Sequence, residues 1–351
     1  MRKRIRDYGV TFGDFPTGKN NLITDVPGVR VGHYTLIKDE PSIARTGLTV
    51  ILPHDMDIYD FPVFASSFII NGFGKSIGLM QIEEMGTIET PIVITTTLNV
   101  GKIADSVVSY ILKNHPDVIS LNPVVLECND ARLNDSKMRW LGEEELFKAL
   151  ENLSGGMFEL GSVGAGTGMV AFGFKSGIGS SSRVIKLSES DKTYHLGVLV
   201  VPNCGRRKDL MIKGVEIGKH FEDEEEPKGS IIMIIATDAP LIPRQLRRLC
   251  VRATHGLART GAKSTNHSGD VVLAFSNSMK IPRKRASLGL TYIPDDTDLF
   301  QKLLDATVEA VEEAIIDALF TAETMTGVKG RKYEALPVGK VLNLIRGVIG
   351  K

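Results

Sequence analysis

The feature that most constrains the fold of this chain is a series of short apolar segments that follow one another without a helix between each pair. Gly, Pro or Asn borders each segment, as is usual at the ends of β-strands. Several segments are apolar on both faces, which predicts sheets that are covered on both sides. The predicted strands are LTVILP (48–53), FPVFASSFII (61–70), TPIVITTT (90–97), HLGVLVVPN (195–203), SIIMIIAT (230–237) and GDVVLAFS (269–276).

Four longer segments carry the periodicity of amphipathic helices: 102–114, 143–153, 244–262 and 298–324. Groups of strands are closed by a helix, so the order differs from the strict alternation of a Rossmann sheet. This pattern suits sheets that lie between helix layers. We therefore predict one layered α/β or α+β domain rather than two domains.

Charge and cysteine content exclude several classes of protein. Lys and Arg total 42, as do Asp and Glu, so nothing indicates a nucleic-acid or anionic-membrane partner. The basic segment MRKRIRDYGV lacks the apolar region of a signal peptide, and no apolar run approaches the roughly 18 residues that span a bilayer. Cys128, Cys204 and Cys250 show no CxxC spacing, so we expect a reducing cytoplasm and small buried side chains, with a catalytic Cys as the alternative.

Glycine and histidine patterns suggest little on their own. The segment 161–183 contains GAGTG, but its spacing and the strand-like MVAFGFKSG that follows do not fit a dinucleotide site. We expect a tight, exposed turn, whose functional form would be a wall of backbone N–H groups. The histidines lack the spacing of metal ligands, so we expect no metal, and His267 beside Ser268 is the histidine of interest.

Three carboxylates occur in LECNDARLND (126–135), namely Glu127, Asp130 and Asp135. One interpretation is a turn rich in hydrogen-bonding residues. The other is the anionic floor of a pocket that binds a cation, such as a substrate ammonium group. The sequence shows no visible Ser-His-Asp arrangement.

The junction EDEEEPKGSIIMIIATDAP (222–240) places the acidic loop 222–226 shortly before the apolar segment that begins at Ser230. A serine hydroxyl needs a nearby base, and a serine at a chain terminus has its own α-amino group, whose unperturbed pKa is about 7.7–8.0. Attack of Ser230 Oγ on the Gly229 carbonyl, followed by hydrolysis of the ester, would create that terminus. Gly229 has no Cβ to obstruct the attack. The alternative is an ordinary loop-to-strand junction.

Several motifs in one order resemble the family of DmpA-type aminopeptidases, the L-aminopeptidase/D-amidase-esterases and β-aminopeptidases. The resemblance runs from about residue 10 to about 345. It implies a four-layer αββα sandwich, similar to N-terminal-nucleophile hydrolases but with distinct connectivity, and self-cleavage before a serine or threonine. The motifs are ITDVPGVRVGH (23–33), NGFGKSIGLMQIEEMGTIETPIVIT (71–95), PVVLECNDARLND (123–135), GSVGAGTGMVAFGFKSGIGSSSR (161–183), GSIIMIIATDAPL (229–241), LARTG (257–261) and SGDVVLAFS (268–276).

The resemblance assigns the candidate catalytic residues. Gly229 and Ser230 match the scissile bond, and Ser230 becomes the nucleophile and the new N-terminus. Ser268 and Asp270, in HSGD, match a serine and an acidic residue that would hold and polarise Ser230 or shuttle its proton. The family often has Glu at the position of Asp270. Asn203, in VPNCGRR, matches an oxyanion donor, and such a donor is worth roughly 3–4 kcal/mol of barrier.

The same resemblance assigns two substrate-binding positions. Glu127 matches the carboxylate that receives the free ammonium group of the substrate. Asn129 stands where some members carry an aromatic residue, so a tyrosine hydroxyl is absent and we expect a more open pocket.

We therefore predict a cytoplasmic, self-processing serine aminopeptidase or amidase. It would release N-terminal residues from short peptides, amino-acid amides or esters through an acyl-enzyme on Ser230. We expect one domain, 1–351, cleaved into 1–229 and 230–351, with no cofactor, in a homo-oligomer that is a tetramer or larger. An N-acyltransferase of the ornithine acetyltransferase type is an alternative, although those enzymes usually have threonine at the junction. An unprocessed binding protein is the other, and L-, D- and β-amino termini all remain open.

Overall fold

The computed structural model describes residues 2–187, 192–222, 229–284 and 286–349, so residues 223–226 of the predicted acidic loop lie outside the described residues. The strands are β1 (Arg30–Lys38), β2 (Ala44–Leu52), β3 (Val63–Gly72), β4 (Thr87–Ile88), β5 (Ile92–Thr96), β6 (Val124–Cys128), β7 (Val170–Ala171), β8 (Phe174–Lys175), β9 (Gly179–Lys186), β10 (Thr193–Asn203), β11 (Ser230–Thr237), β12 (Gly269–Lys280), β13 (Met325–Thr326) and β14 (Lys332–Tyr333).

The α-helices are α1 (Leu79–Met85), α2 (Val100–Asn114), α3 (Glu143–Glu151), α4 (Pro243–Arg259), α5 (Asp298–Thr321) and α6 (Val338–Ile349). Within the described ranges, none of them combines the length and the apolar character needed to cross a membrane.

Two large sheets form the framework of the protein. One has the strand order β1-β2-β5-β6, and the other has the order β4-β3-β12-β11-β10-β9. In the larger sheet, β11 pairs with β10 in antiparallel and with β12 in parallel orientation. The central position of β11 means that its first residue is enclosed by strand ends on both sides.

Within the described residues, three hydrophobic cores separate four layers. Met233 and Ile235 of β11 belong to a core with residues of α4 and α5, whereas Ile232 and Ile234 belong to a core with residues of the four-stranded sheet, including Leu126. A third core joins α2 and α3 to the other face of that smaller sheet. Both faces of β11 are therefore buried, as its unbroken apolar run predicts. The αββα layering predicted above is confirmed.

Each predicted strand and helix is present, with ends shifted by a few residues. The predicted helix 244–262 begins at Pro243, because proline suits the first turn of a helix. The strand expected at 169–177 is the exception. It is a short hairpin of β7 and β8, because Phe172 and Gly173 adopt φ values of 50° and 69° and reverse the chain.

Helix α5 is buried on almost every side, although its periodicity predicts one apolar face. Its acidic residues Glu313 and Asp317 face arginines of the N-terminal segment. Arg6 Nε lies 2.5 Å from Glu313 Oε1, and Arg4 Nη2 lies 2.6 Å from Asp317 Oδ2. The buried Arg183 reaches Glu313 as well, at 2.7 Å. We call these five residues the arginine–carboxylate network, and it anchors the basic N-terminus to the core.

Candidate active site

Ser230 is the first residue of β11 and is buried at the end of the larger sheet. The sheet register places Asn203 opposite Ser230 and places Asp270 beside Ile231. Gly269 N–H donates a hydrogen bond to Ser230 Oγ at 3.0 Å. Strand pairing thus brings together residues that are about 30 to 40 positions apart in the chain.

Asp270 fixes the backbone next to the nucleophile. Its Oδ1 accepts a hydrogen bond from Ile231 N at 3.1 Å, and its Oδ2 lies 2.7 Å from the hydroxyl of Ser268. The Ser268 hydroxyl is also 2.8 Å from the carbonyl oxygen of Thr265. Burial raises the pKa of Asp270, and the hydrogen bonds that it accepts oppose the rise. Ser268 and Asp270 therefore act on the neighbours of Ser230. Asp270 holds the Ile231 N–H, and both residues flank Gly269, whose N–H binds Ser230 Oγ.

Asn203 is held rigidly at the end of β10. Its Oδ1 accepts a hydrogen bond from Val170 N at 3.0 Å, and its Nδ2 donates to the carbonyl oxygen of Asn129 at 2.9 Å. An amide Nδ2 carries two N–H groups, so one remains for an oxyanion. The side chain of Asn129 turns back on its own loop, where Oδ1 accepts from Ala131 N at 2.9 Å. Asn129 therefore supports Asn203 through its carbonyl group.

Glu127 comes from the other sheet, near the end of β6. Its side chain is only 2% exposed. Oε1 accepts a hydrogen bond from Lys75 N at 3.2 Å, and Oε2 accepts one from the hydroxyl of Thr97. Both donors are neutral groups, so the hydrogen bonds orient the carboxylate and leave its charge in place.

A cavity of about 320 Å³ connects Glu127 with Ser230, and we call it the Ser230 cavity. Both residues line this cavity, as do Asn129 and Gly229. The lining residues are Phe73, Lys75, Thr97, Glu127, Asn129, Gly229, Ser230 and His267. A space of this size, with a carboxylate at one place and a hydroxyl at another, suits a small cationic ligand.

Three of the lining residues are absent from the sequence-based site: Phe73, Lys75 and Thr97. Phe73 and Lys75 lie in the loop that follows β3, and Thr97 begins a short 3-10 helix directly after β5. The motif NGFGKSIG, quoted above only for its family resemblance, contains two of them. His267 does line the cavity, and its ring stacks edge-to-face on Phe73 with centroids 5.6 Å apart.

Two expectations about the site are wrong. The glycine segment 164–168 is buried, not exposed, and no residue of 161–183 lines the Ser230 cavity. Its N–H groups are satisfied internally, for example Gly164 N by Thr35 Oγ1 at 2.8 Å and Ala165 N by Thr49 Oγ1 at 3.1 Å. The segment supports the site only through Val170 N, which binds Asn203. It is therefore no wall of free N–H groups.

Of the three carboxylates in segment 126–135, Glu127 alone lines the Ser230 cavity. Asp130 is buried in its own loop, where Thr96 Oγ1 donates to Oδ1 at 2.7 Å, and burial raises the pKa of Asp130 to about 6. Asp135 accepts from Ser42 Oγ at 2.6 Å. Neither lines the cavity, so the hydrogen-bonded turn describes Asp130 and Asp135, whereas Glu127 faces the cavity.

The cysteines behave as predicted. Cys128, Cys204 and Cys250 are buried and unpaired, and burial raises the pKa of each thiol. None of them lines the Ser230 cavity, so a cysteine nucleophile has no support.

Among the described residues, one group of three side chains offers metal-ligand atoms within 4.8 Å of one another: Asp57, Asp60 and His115. His115 Nε2 is 3.0 Å from Asp57 Oδ2. None of the three lines the Ser230 cavity, so the group is separate from the candidate catalytic residues.

Residues 21–333 match the profile of Peptidase family S58. The β-peptidyl aminopeptidase BapA of Sphingosinicella xenopeptidilytica is 38% identical over 369 residues, which cover 98% of this chain and 91% of that protein. A solved structure from Pyrococcus horikoshii OT3 is 44% identical, with a TM-score of 0.94 over 99% of this chain and 100% of the other.

The L-aminopeptidase D-Ala-esterase/amidase of Ochrobactrum anthropi has a TM-score of 0.91 and 35% identity over 98% of both chains. It is described as a prototype of the serine aminopeptidases and as a new variant of the Ntn hydrolase fold. The predicted family resemblance and fold class are thus confirmed. The chain belongs to peptidase family S58 and is a hydrolase that acts on peptide bonds.

Proposed function

We propose that this peptidase is a self-processing serine aminopeptidase that acts on short peptides, amino-acid amides or esters. The observation that carries the proposal is the Ser230 cavity, in which the serine at the start of β11 and the carboxylate of Glu127 face the same space. Among the described residues, Glu127 has no tight cationic partner, since Lys75 Nζ lies 4.0 Å away. Such a site favours substrates with a free ammonium group next to the bond that is cleaved. Aminopeptidase activity is also supported by the family and by the names of the relatives.

The first step of the proposal is scission between Gly229 and Ser230, which divides the chain into 1–229 and 230–351. Ser230 Oγ attacks the Gly229 carbonyl carbon, the C–N bond breaks, and the amine takes up a proton. Water then hydrolyses the ester and leaves a carboxyl group on Gly229. The packing supports glycine at this position, because a Cβ on residue 229 would lie 1.5 Å from the carbonyl oxygen of Asn203.

In the proposed reaction, the neutral α-amine of Ser230 takes the proton of Oγ, which attacks the first peptide carbonyl of the substrate. The free N–H of Asn203 stabilises the oxyanion, and the leaving amine receives the proton. Water then attacks the ester on Ser230 and releases the N-terminal amino acid. Asp270 holds the Ile231 amide, so the nucleophile stays in line with Asn203.

Glu127 is proposed to bind the substrate ammonium group. Its depth in the cavity and its neutral hydrogen-bond donors support this role. An N-acetylated peptide presents no cation, so it would lose this charge-assisted hydrogen bond.

We also propose a reducing, cytoplasmic location and a homo-oligomer of at least four subunits. Three unpaired, buried thiols support the first, and the family resemblance supports the second. Analytical ultracentrifugation tests the oligomer, and a monomer would contradict it.

Intact mass spectrometry of the purified protein, wild type beside Ser230→Ala, tests the function. We expect two polypeptides for the wild type and one for the variant, with hydrolysis of dipeptides only by the former. Full hydrolytic activity in continuous wild-type chain would overturn self-processing. Efficient acyl transfer from N-acetylornithine to glutamate, without peptide hydrolysis, would support the acyltransferase instead.

A further inference from the structure

Lys75 is the one lysine or arginine among the described residues that line the Ser230 cavity. Its Nζ lies 4.0 Å from Glu127 Oε1 and 4.8 Å from the centroid of the Phe73 ring. The Lys75 side chain is 49% exposed, whereas that of Glu127 is 2% exposed. The cavity therefore carries an anion at its base and a cation at its solvent-facing side.

The two ends of Lys75 are held differently. Its backbone N–H donates to Glu127 Oε1 at 3.2 Å, which fixes the start of the side chain beside the carboxylate. The ammonium group makes no hydrogen bond to the residues described here, and its 4.0 Å separation from Glu127 contrasts with the 2.6 Å of the Lys148–Glu144 pair. Because the pair is loose and solvated, Lys75 exchanges partners at little cost.

A ligand with only a positive charge fits this arrangement less well than a zwitterion does. Its ammonium group would join Lys75 at one carboxylate, and the two cations would repel each other. A zwitterion fits it well, since the ammonium takes Glu127 and the carboxylate takes Lys75. All four charges are then paired, and the net charge of the cavity does not change.

Length restricts the zwitterion further. Two extended residues span at most about 7 Å, and each added residue moves the terminal carboxylate by about 3.3–3.6 Å. Lys75 Nζ starts 4.0 Å from the Glu127 oxygen that would hold the other end of the substrate. The flexible lysine side chain can reach a dipeptide carboxylate across the scissile bond, and longer peptides place that group outside the cavity.

We propose that Lys75 makes this enzyme select dipeptides with a free C-terminal carboxylate, which it binds while Glu127 holds their ammonium group. The proposal rests on the proposed aminopeptidase function. It adds a substrate class and a specificity-determining residue on the leaving-group side.

The test compares alanyl-alanine with alanyl-alaninamide, with the first residue as the isomer that the wild type hydrolyses fastest. For the wild type we expect kcat/KM to be about tenfold higher for the acid than for the amide, the worth of one charge-assisted hydrogen bond. In Lys75→Met the ratio should fall to about one, through a higher KM for the acid, and Lys75→Glu should favour the amide. Lys113→Met is the matched control, because Lys113 also lies over a phenylalanine ring but outside the cavity, and its ratio should stay at the wild-type value.

An unchanged ratio in Lys75→Met would overturn the proposal. So would an equal rise in kcat/KM for both substrates, because Lys75 would then only compete with the substrate ammonium group for Glu127.

A binding measurement separates this proposal from the proposed function. Calorimetric titration of Ser230→Ala with the same two ligands needs no catalysis, and the cavity is formed in the continuous chain. We expect the acid to bind about tenfold more tightly than the amide, and Ser230→Ala/Lys75→Met to lose the difference. If the wild type hydrolyses neither compound, the proposed function is wrong. Equal binding of both compounds by Ser230→Ala would contradict the role of Lys75 and would leave the proposed aminopeptidase function unaffected.

Discussion

Two buried glutamates in this protein differ in how their charges are neutralised. Glu313 on α5 lies within 2.5 Å of Arg6 and 2.7 Å of Arg183, and these partners together hold the pKa of its carboxyl below the usual value. Glu127 has two neutral donors and a loose contact of 4.0 Å with Lys75. Both side chains are almost inaccessible to water.

This difference in pairing distinguishes a carboxylate with a structural role from one that is available to bind a ligand. Burial of a charge is costly unless it is paired, and tight arginine pairs satisfy that need inside the folded chain. A carboxylate that lacks such a pair retains its attraction for a cation from outside. Incomplete neutralisation therefore marks the ligand site better than burial does.

The largest effect is expected from the structural network. Arg183→Met leaves Glu313 with one of its two arginines, and the loss of one partner of a buried pair typically costs about 3–5 kcal/mol in the free energy of unfolding. Urea denaturation should show this loss, while KM for dipeptides stays near the wild-type value.

A matched surface change serves as the control for that experiment. Lys148→Met breaks an exposed pair with Glu144 and should leave the unfolding free energy close to the wild-type value. If Arg183→Met and Lys148→Met changed the unfolding free energy equally, the expected difference between buried and exposed ion pairs would be wrong.

Asn203→Ala should affect the site in the opposite way, with a large loss of rate and a smaller loss of stability. Removal of an oxyanion donor lowers kcat by about 10²–10³-fold. The two hydrogen bonds of the amide are lost as well, which costs about 1–3 kcal/mol in unfolding free energy. Steady-state kinetics on cleaved enzyme would detect the effect, and a kcat within threefold of wild type would remove Asn203 from its role.

Glu127→Gln tests the proposed binding of the substrate ammonium group directly. We expect kcat/KM for free dipeptides to fall by about 10- to 100-fold, the value of a hydrogen bond to a charged group, with little change in stability. Reaction with N-acetylated dipeptides should remain equally slow in both proteins. Glu144→Gln, on the surface, should behave as wild type. If the variant still preferred the free amine, Glu127 would not be the ammonium site.

The smallest effect concerns a partly buried pair, His195 and Asp238, whose Nδ1 and Oδ2 atoms are 2.9 Å apart. The hydrogen bond to Asp238 raises the pKa of His195. The pair therefore stabilises the fold fully below the unfolded pKa of about 6.5, and loses this contribution as the pH rises through the higher folded value. His195→Asn should cost less than about 1 kcal/mol at pH 5.5 and still less at pH 8.5. Unfolding measured at both values checks the sign, and a greater cost at pH 8.5 would contradict it.

Local pattern was a good guide to the strands and a poor guide to the site. The apolar run after Ser230 predicts a doubly covered strand, and the structure has one. Asn203, Ser268 and Asp270 could be assigned only through the family resemblance, because nothing local links them to Ser230. Lys75 and Thr97 were missed, since their role depends on how two sheets stack.

The sequence by itself determined the layered α/β fold, the family and the serine at the head of a central strand, because apolar periodicity and ordered motifs are local properties. Only the tertiary structure decided which carboxylate stays open to a ligand. That outcome depends on distances between charges, and chain order does not set those distances. Glu313 and Glu127 are the same type of residue. Packing gives Glu313 tight arginine partners and places Glu127 beside a cavity.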